Sequence, residues 1–476
     1  MRKIILVSAT LILLFAIWIF YPRSHSSAGP GFNSGRGLAP VAALAPGAGA
    51  KADGQSRNTP DLPSQPSANP APTPATGSTS APSSNAATGK ISDSALRQIE
   101  ALMTEKAARS PSQNKVDSQL LFAGKLSRNE PIAEGVNTLR VELDRDQADR
   151  VLVDIKAGVS EELLADIRQR GGNILNSFAQ YQSIRAALPL KEIESLAART
   201  DVVFIGPAVK MTVNTGSVDS QGDVAEKANV ARTTYGVDGT GVKVGVLSDS
   251  VDYMANSQTL GDLGTVTVLT GQSGVPSTGE GTAMLEIVHD LAPGATLYFA
   301  TADGGQANFA NNILALRAAG CDIILDDVEY YNESPFQDAT IAQAVNQVTA
   351  GGALYFSSAS NSGNKDDGTS ATWEGDFLDS GQTYSTNKGV GKIHSFGAVT
   401  ANVATSSGGS ETAAFFWSDP LGQSANDYDL FILDATGANV VAASTTTQNG
   451  TQDPYETVKV NNGQQFVIVL ASGTTW

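Results

Sequence analysis

Between about 242 and 357 the chain alternates short apolar, β-branched runs with helix-length segments, and this alternation limits the possible folds more than any other feature. The runs 242–247, 296–300, 322–325 and 353–357 read as strands, and 279–291, 308–319 and 338–350 read as helices. Strands joined through helices run parallel, and strands that are apolar along their whole length are covered on both faces. The expectation is an α/β domain over about 213–380, built on a doubly wound parallel sheet. Its ligand site should lie at the carboxyl ends of the strands.

The flanks differ in kind. Arg2 and Lys3 precede an apolar run over 4–20 and the small residues Ser26, Ser27 and Ala28, which marks 1–28 as an export signal. The run is slightly long for a cleaved signal and slightly short for a membrane span, so signal peptide and signal anchor both stay open. Either way the expected place is secreted or at the cell envelope. Over 29–90 the composition falls to Ala, Pro, Ser, Gly and Thr, too poor in apolar side chains to offset chain entropy, which predicts a disordered linker. A helix is expected over 92–108 behind a Ser92 or Ser94 cap, opening a 91–210 segment. Within it the core 149–208 reads βαββαβ: strand 151–155, helix 160–170, two strands in 174–188, helix 190–199, strand 202–205. That is the order of a ferredoxin-like unit. From 381 to 476 the helical period disappears, and strands at 413–417, 429–433 and 465–470 predict a β-sandwich portion.

The chain has 31 Lys plus Arg against 48 Asp plus Glu, a net charge of -17, which argues against nucleic acid or anionic lipid as the main partner. A single cysteine, Cys321, excludes an intrachain disulfide and sits in an apolar run as a buried small hydrophobe.

Three segments of the α/β region carry candidate chemistry. Asp249 follows the strand ending at Leu247, at the carboxyl end where such sheets bind ligands; a turn-capping role is the plain alternative. Glu280 stands in Gly279-Glu280-Gly281-Thr282 at the first turn of a helix, where the macrodipole favours its ionised form. Asn361 follows the strand 353–357 in a small-residue loop, and either satisfies local backbone or aims an N–H at an oxyanion.

Together these segments, over about 236–363 and in this order, resemble the subtilases, the subtilisin-like serine peptidases. The resemblance implies an exported serine endopeptidase acting on polypeptides through an acyl-enzyme. Asp249 is similar to the family's catalytic aspartate, although that aspartate aligns more simply with Ser248. Glu280 takes the place of the catalytic histidine, as in the related sedolisins, whose additional aspartate one turn later is Met284 here. Asn361 takes the place of the oxyanion asparagine. Asp326 and Asp327 end a strand where the family's substrate-binding edge lies; a solvated acidic loop is the alternative. The 91–210 segment takes the place of the family's prodomain, an intramolecular inhibitor, with release expected within 208–221.

No nucleophile follows from the same reading. Gly368-Thr369-Ser370 matches the family's serine motif by composition only, and the expectation is that the chain stops before the nucleophile. The histidines His25, His289 and His394 are poorly placed to serve as the base. No cofactor is called for, and calcium is compatible with acidic loops such as Lys365-Asp366-Asp367. If Asp249 and Glu280 share one proton, activity should favour acidic pH. The rival is a noncatalytic secreted binding or adhesion relative; a carbohydrate-binding role for Trp417, Tyr428 and Asp429 is a weaker third.

Overall fold

The computed structural model describes residues 90–213, 221–271, 277–364, 366, 369–386, 389–405 and 409–474. The expected signal and linker lie outside the described residues. Among the described residues no helix is long and apolar enough to cross a membrane.

The helix expected near the start is α1 (Asp93–Ala107), capped by Ser92, whose hydroxyl accepts from the Ala95 amide. A second helix, α2 (Ser118–Ser127), has no clear periodicity, because every residue from Ser118 to Gly124 is buried. The βαββαβ order is present as β1 (Val151–Ala157), α3 (Glu161–Gln169), β2 (Asn173–Phe178), β3 (Ser183–Leu188), α4 (Ile193–Ala197) and β4 (Val202–Pro207). These strands form one antiparallel sheet in the order β2-β3-β1-β4. Its core takes Val151, Val153 and Ile155 from β1 and Leu163, Leu164 and Ile167 from α3, an apolar stripe at helical spacing. A short strand β5 (Thr212–Val213) follows.

Three short helices come next in the α/β part, α5 (Gly222–Ala225), α6 (Ala228–Tyr235) and α7 (Met254–Leu260), with β6 (Lys243–Ser248) and β7 (Val266–Val268) among them. Then follow α8 (Glu280–Leu291), β8 (Thr296–Thr301), α9 (Gln306–Ala318), β9 (Ile323–Asp326), β10 (Val328–Glu329), α10 (Thr340–Ala350) and β11 (Leu354–Ser357). The sheet is parallel throughout, in the order β11-β9-β6-β8-β7. Alternation along the strands separates two cores. Val244 and Val246 of β6 with Ile323 and Leu325 of β9 pack on the α8 side; Leu247 and Ile324 pack on the α9 and α10 side. Chain order reverses at β6, with β8 and β7 on one side and β9 and β11 on the other. The crevice at such a switch lies beyond the carboxyl ends of β6 and its neighbours.

The remaining strands are all antiparallel. A six-stranded sheet has the path β12 (Asp379–Thr386), β13 (Gly389–His394), β19 (Gln465–Ser472), β16 (Asp427–Leu433), β17 (Val440–Ser444), with β14 (Asn402–Val403) on β19; β15 (Ser410–Phe416) pairs β18 (Tyr455–Asn461). Even positions of β16, Tyr428, Leu430 and Ile432, share a core with Val458 and Val460 of β18. Odd positions, Phe431 and Leu433, share a different core with Ile99 and Leu102 of α1. The N-terminal helices therefore cover one face of the C-terminal sheet, a long-range packing that the sequence did not announce.

Candidate functional site

The site grows from strand alternation. Val244 and Val246 face α8, so Ser248, next in that row, also faces α8. Its hydroxyl donates to Glu280 Oε2 at the first turn of the helix. On β9 the same parity puts Leu325, and after it Asp327, on the α8 side, whereas Asp326 faces the other way. The carboxyls of Asp327 and Glu280 lie within hydrogen-bonding reach. Glu280 Oε1 is buried without a hydrogen-bond donor, which disfavours its ionised form. Burial pushes Glu280 up to about 8, reinforced by the negative charges of Asp327 and Asp249 and opposed by the Ser248 hydroxyl.

Two glycines bring the helix so close. A Cβ at Gly281 would stand 2.5 Å from the Phe299 ring and 2.5 Å from the Ser250 carbonyl oxygen. Gly279 has a φ of 76°, and a Cβ there would stand 2.8 Å from the Asp252 carbonyl oxygen. The Gly-Glu-Gly-Thr spacing thus sets the helix start directly against the end of β6.

Asp249 has the opposite character to Glu280. It is buried, which alone would raise its pKa. The donors around it outweigh this and hold it below the usual carboxylate range: the Thr278 hydroxyl and amide, each at 2.6 Å, and the Ser250 amide at 2.6 Å. It ties the entry of α8 to the end of β6, and lies 3.4 Å from the Ser248 hydroxyl. The acid within hydrogen-bonding reach of Glu280 is thus Asp327, while Asp249 acts on it through its charge.

The other expected residues fall as follows. Asp326 is 2 % exposed, accepts from the hydroxyls of Tyr355 and Ser357 and from the Val328 amide, and is pushed by burial up to about 6. It ties β9 to β11 and presents no open face to a peptide, whereas Asp327 is half-buried on the site side. Asn361 is exposed four residues beyond β11, on the same carboxyl edge of the sheet. Ser370 lies in irregular structure, exposed, and opens no helix. His394 is buried against Trp373, Phe377 and Phe396, and its Nδ1 accepts from the Leu378 amide. Trp417, Tyr428 and Asp429 are all buried in the core, which removes the carbohydrate-binding reading. Cys321 is buried, and that burial pushes its thiol up to about 12. Among the described residues no group of three or more His, Cys, Asp or Glu is arranged to hold a metal ion.

Strand parity could have shown that Ser248 and Asp327 face Glu280. The sequence reading instead took the strand ends as undivided clusters.

No family model and no curated protein matches the chain. Solved structures similar to it are subtilisin-like serine proteases. One is the epidermin leader peptide processing serine protease EpiP from Staphylococcus aureus, at 12 % identity and a TM-score of 0.29, covering 44 % of this chain and 59 % of that one. A mutant of that protease gives 12 % and 0.31, covering 44 % and 60 %. Fervidolysin from Fervidobacterium pennivorans, a keratinolytic enzyme related to subtilisin, gives 13 % and 0.27, covering 45 % and 40 %. The chain thus spans less than two thirds of each of these proteins.

Proposed function

We propose that this chain carries the acid–base centre and the prodomain of an exported, divergent subtilisin-like serine endopeptidase, with Glu280 as the base and Asp327 as its proton partner. The observation that carries the reading is the Ser248-Glu280-Asp327 cluster at the switch point of a parallel sheet, held at a helix start. A pair holding one proton between two acids can take a proton from an attacking serine hydroxyl as its oxygen bonds to the scissile carbonyl carbon. It can then return that proton to the leaving amine as the C–N bond breaks. Water repeats the sequence in reverse on the acyl-enzyme. Asn361 is the proposed donor to the oxyanion.

The prodomain reading is supported by β5, which pairs antiparallel with β10, Thr212 opposite Glu329 and Val213 opposite Val328. The backbone leaving the βαββαβ unit thus adds a strand to the edge directly after Asp327, where a peptide substrate would lie by β-augmentation. The expected release segment continues into 214–220, outside the described residues.

The rival reading, a noncatalytic peptide-binding relative, draws on Ser248: the hydroxyl that meets Glu280 is fully buried and takes the place the family gives to aspartate. A peptidase assay of the natural gene product, with Glu280→Gln beside it, separates the two. The endopeptidase reading expects turnover of a mixed peptide library that falls about 100-fold or more in Glu280→Gln. Saturable peptide binding without turnover, or a Glu280→Gln protein of undiminished activity, overturns it.

A further inference from the structure

The N-terminal helices are joined to the C-terminal sheet by more than apolar packing. Lys106, in the last turn of α1, is 6 % exposed, and its ammonium donates at 2.7 Å to both Asp427 and Asp429 of β16. These two carboxylates stand at alternate positions, on the face of β16 that also offers Phe431 and Leu433 to α1. Arg109 continues the line, donating at 2.6 Å to the Thr445 carbonyl oxygen, and Gln119 of α2 donates at 2.6 Å to the Ala443 carbonyl oxygen. α2 also reaches the other way, since Leu120 and Leu121 pack into the core of the βαββαβ unit. It therefore couples that unit to the C-terminal sheet.

By contrast, the βαββαβ unit and the segment after it meet the α/β part through the partly buried Tyr181, Val209 and Met211, through polar contacts such as Asn176 donating to the Gly304 carbonyl oxygen at 2.9 Å, and through the two-residue β5 to β10 ladder, with no buried ion pair between them among the described residues. A buried ammonium held between two carboxylates is costly to separate, because separation leaves unpaired charge in a dry site.

We infer that α1 and α2 form a clasp, closed by Lys106 on Asp427 and Asp429, that keeps the N-terminal piece bound to the C-terminal sheet after the chain is cut between β5 and α5. The partner of this surface is the chain's own 91–127 segment. Its meaning as a retained inhibitor rests on the prodomain reading above; retention itself does not. Under that reading, scission alone leaves the inhibitor at high effective concentration beside its edge strand, and activation requires the clasp to open as well.

The test uses the full chain with a specific protease recognition sequence placed within 214–220, cut to completion and passed through gel filtration at neutral pH. The two pieces are expected to co-elute, and Lys106→Met is expected to raise the released fraction at least tenfold, while Asn176→Ala leaves it unchanged. Hydrogen exchange on the cut chain without the Lys106 substitution gives a reading that does not depend on that variant folding: amides of β16 and β17 should exchange as slowly as in the uncut chain. Free separation of the pieces, fast exchange in β16 and β17 after cutting, or release by Asn176→Ala but not by Lys106→Met overturns the clasp. No arm of the test reads peptidase activity, so a chain without turnover still decides it.

Discussion

At the scale of the residue, Glu280 and Asp249 show how one sheet edge gives two carboxylates opposite chemistry. Asp249 is surrounded by donors and Glu280 by burial and acids. A carboxyl whose folded pKa is raised binds more proton folded than unfolded, so it lowers stability as pH rises from its unfolded value toward its folded one. For Glu280 that window runs from about 4.5 to about 8, with a slope of roughly 1.4 kcal/mol per pH unit for one proton. Glu280→Gln removes this titration. Its melting temperature should match the parent near pH 5 and exceed it increasingly toward pH 8, as thermal unfolding across that range would show. A second substitution tests the close approach at the helix start. Gly281→Ala places a methyl against Phe299 and the Ser250 carbonyl, and should cost roughly 1–3 kcal/mol in denaturant unfolding.

At the scale of the element, most of the chain was legible because its periods are clean. β1, β6, β8, β9 and β11 fall within a residue or two of the expected runs, and α1, α3 and α8 begin where caps and apolar stripes placed them. What was missed has physical causes. α2 is buried nearly all round, so it has no amphipathic signature to find. β5 and β10 are two residues long, too short for alternation to register. The partnership of Glu280 with Asp327 depends on which side of β9 each acid faces, information that strand parity carries and a list of acidic residues does not. The double-sided role of β16 was likewise hidden, since an apolar strand does not say what covers each face. It is testable through Phe431, fully buried on the face toward α1. Phe431→Ala should cost about 3–5 kcal/mol, and should raise hydrogen exchange in α1 along with β16.

At the scale of the whole molecule, raised carboxyls are not confined to the site. Burial lifts Asp117 and Asp326 to about 6, and Glu333 to about 7, on separate parts of the structure. Each favours the folded state at acid pH and loses that advantage as pH rises past the unfolded value. Depressed groups such as Asp249, Asp419 and Asp434 work the other way, contributing stability that is lost only as pH falls through their own low values. Between pH 5 and pH 8 the raised set dominates, so a melting curve at pH 5 should lie above one at pH 8. The parallel sheet, and the lie of the candidate residues at its carboxyl ends, were readable from the sequence. The joining of N-terminal helices to a C-terminal sheet some 320 residues later was not, because no local pattern encodes Lys106 reaching Asp427 and Asp429.

The central claim is that Glu280, buried beside Asp327, keeps its proton near neutrality. Isotope-edited infrared or carbon NMR titration of the carboxyl groups, in the parent chain and in Glu280→Gln, measures this directly. The account expects one carboxyl titrating near pH 8 in the parent and absent from the variant. A parent in which every carboxyl assigned to this cluster is already ionised at pH 6 would contradict it.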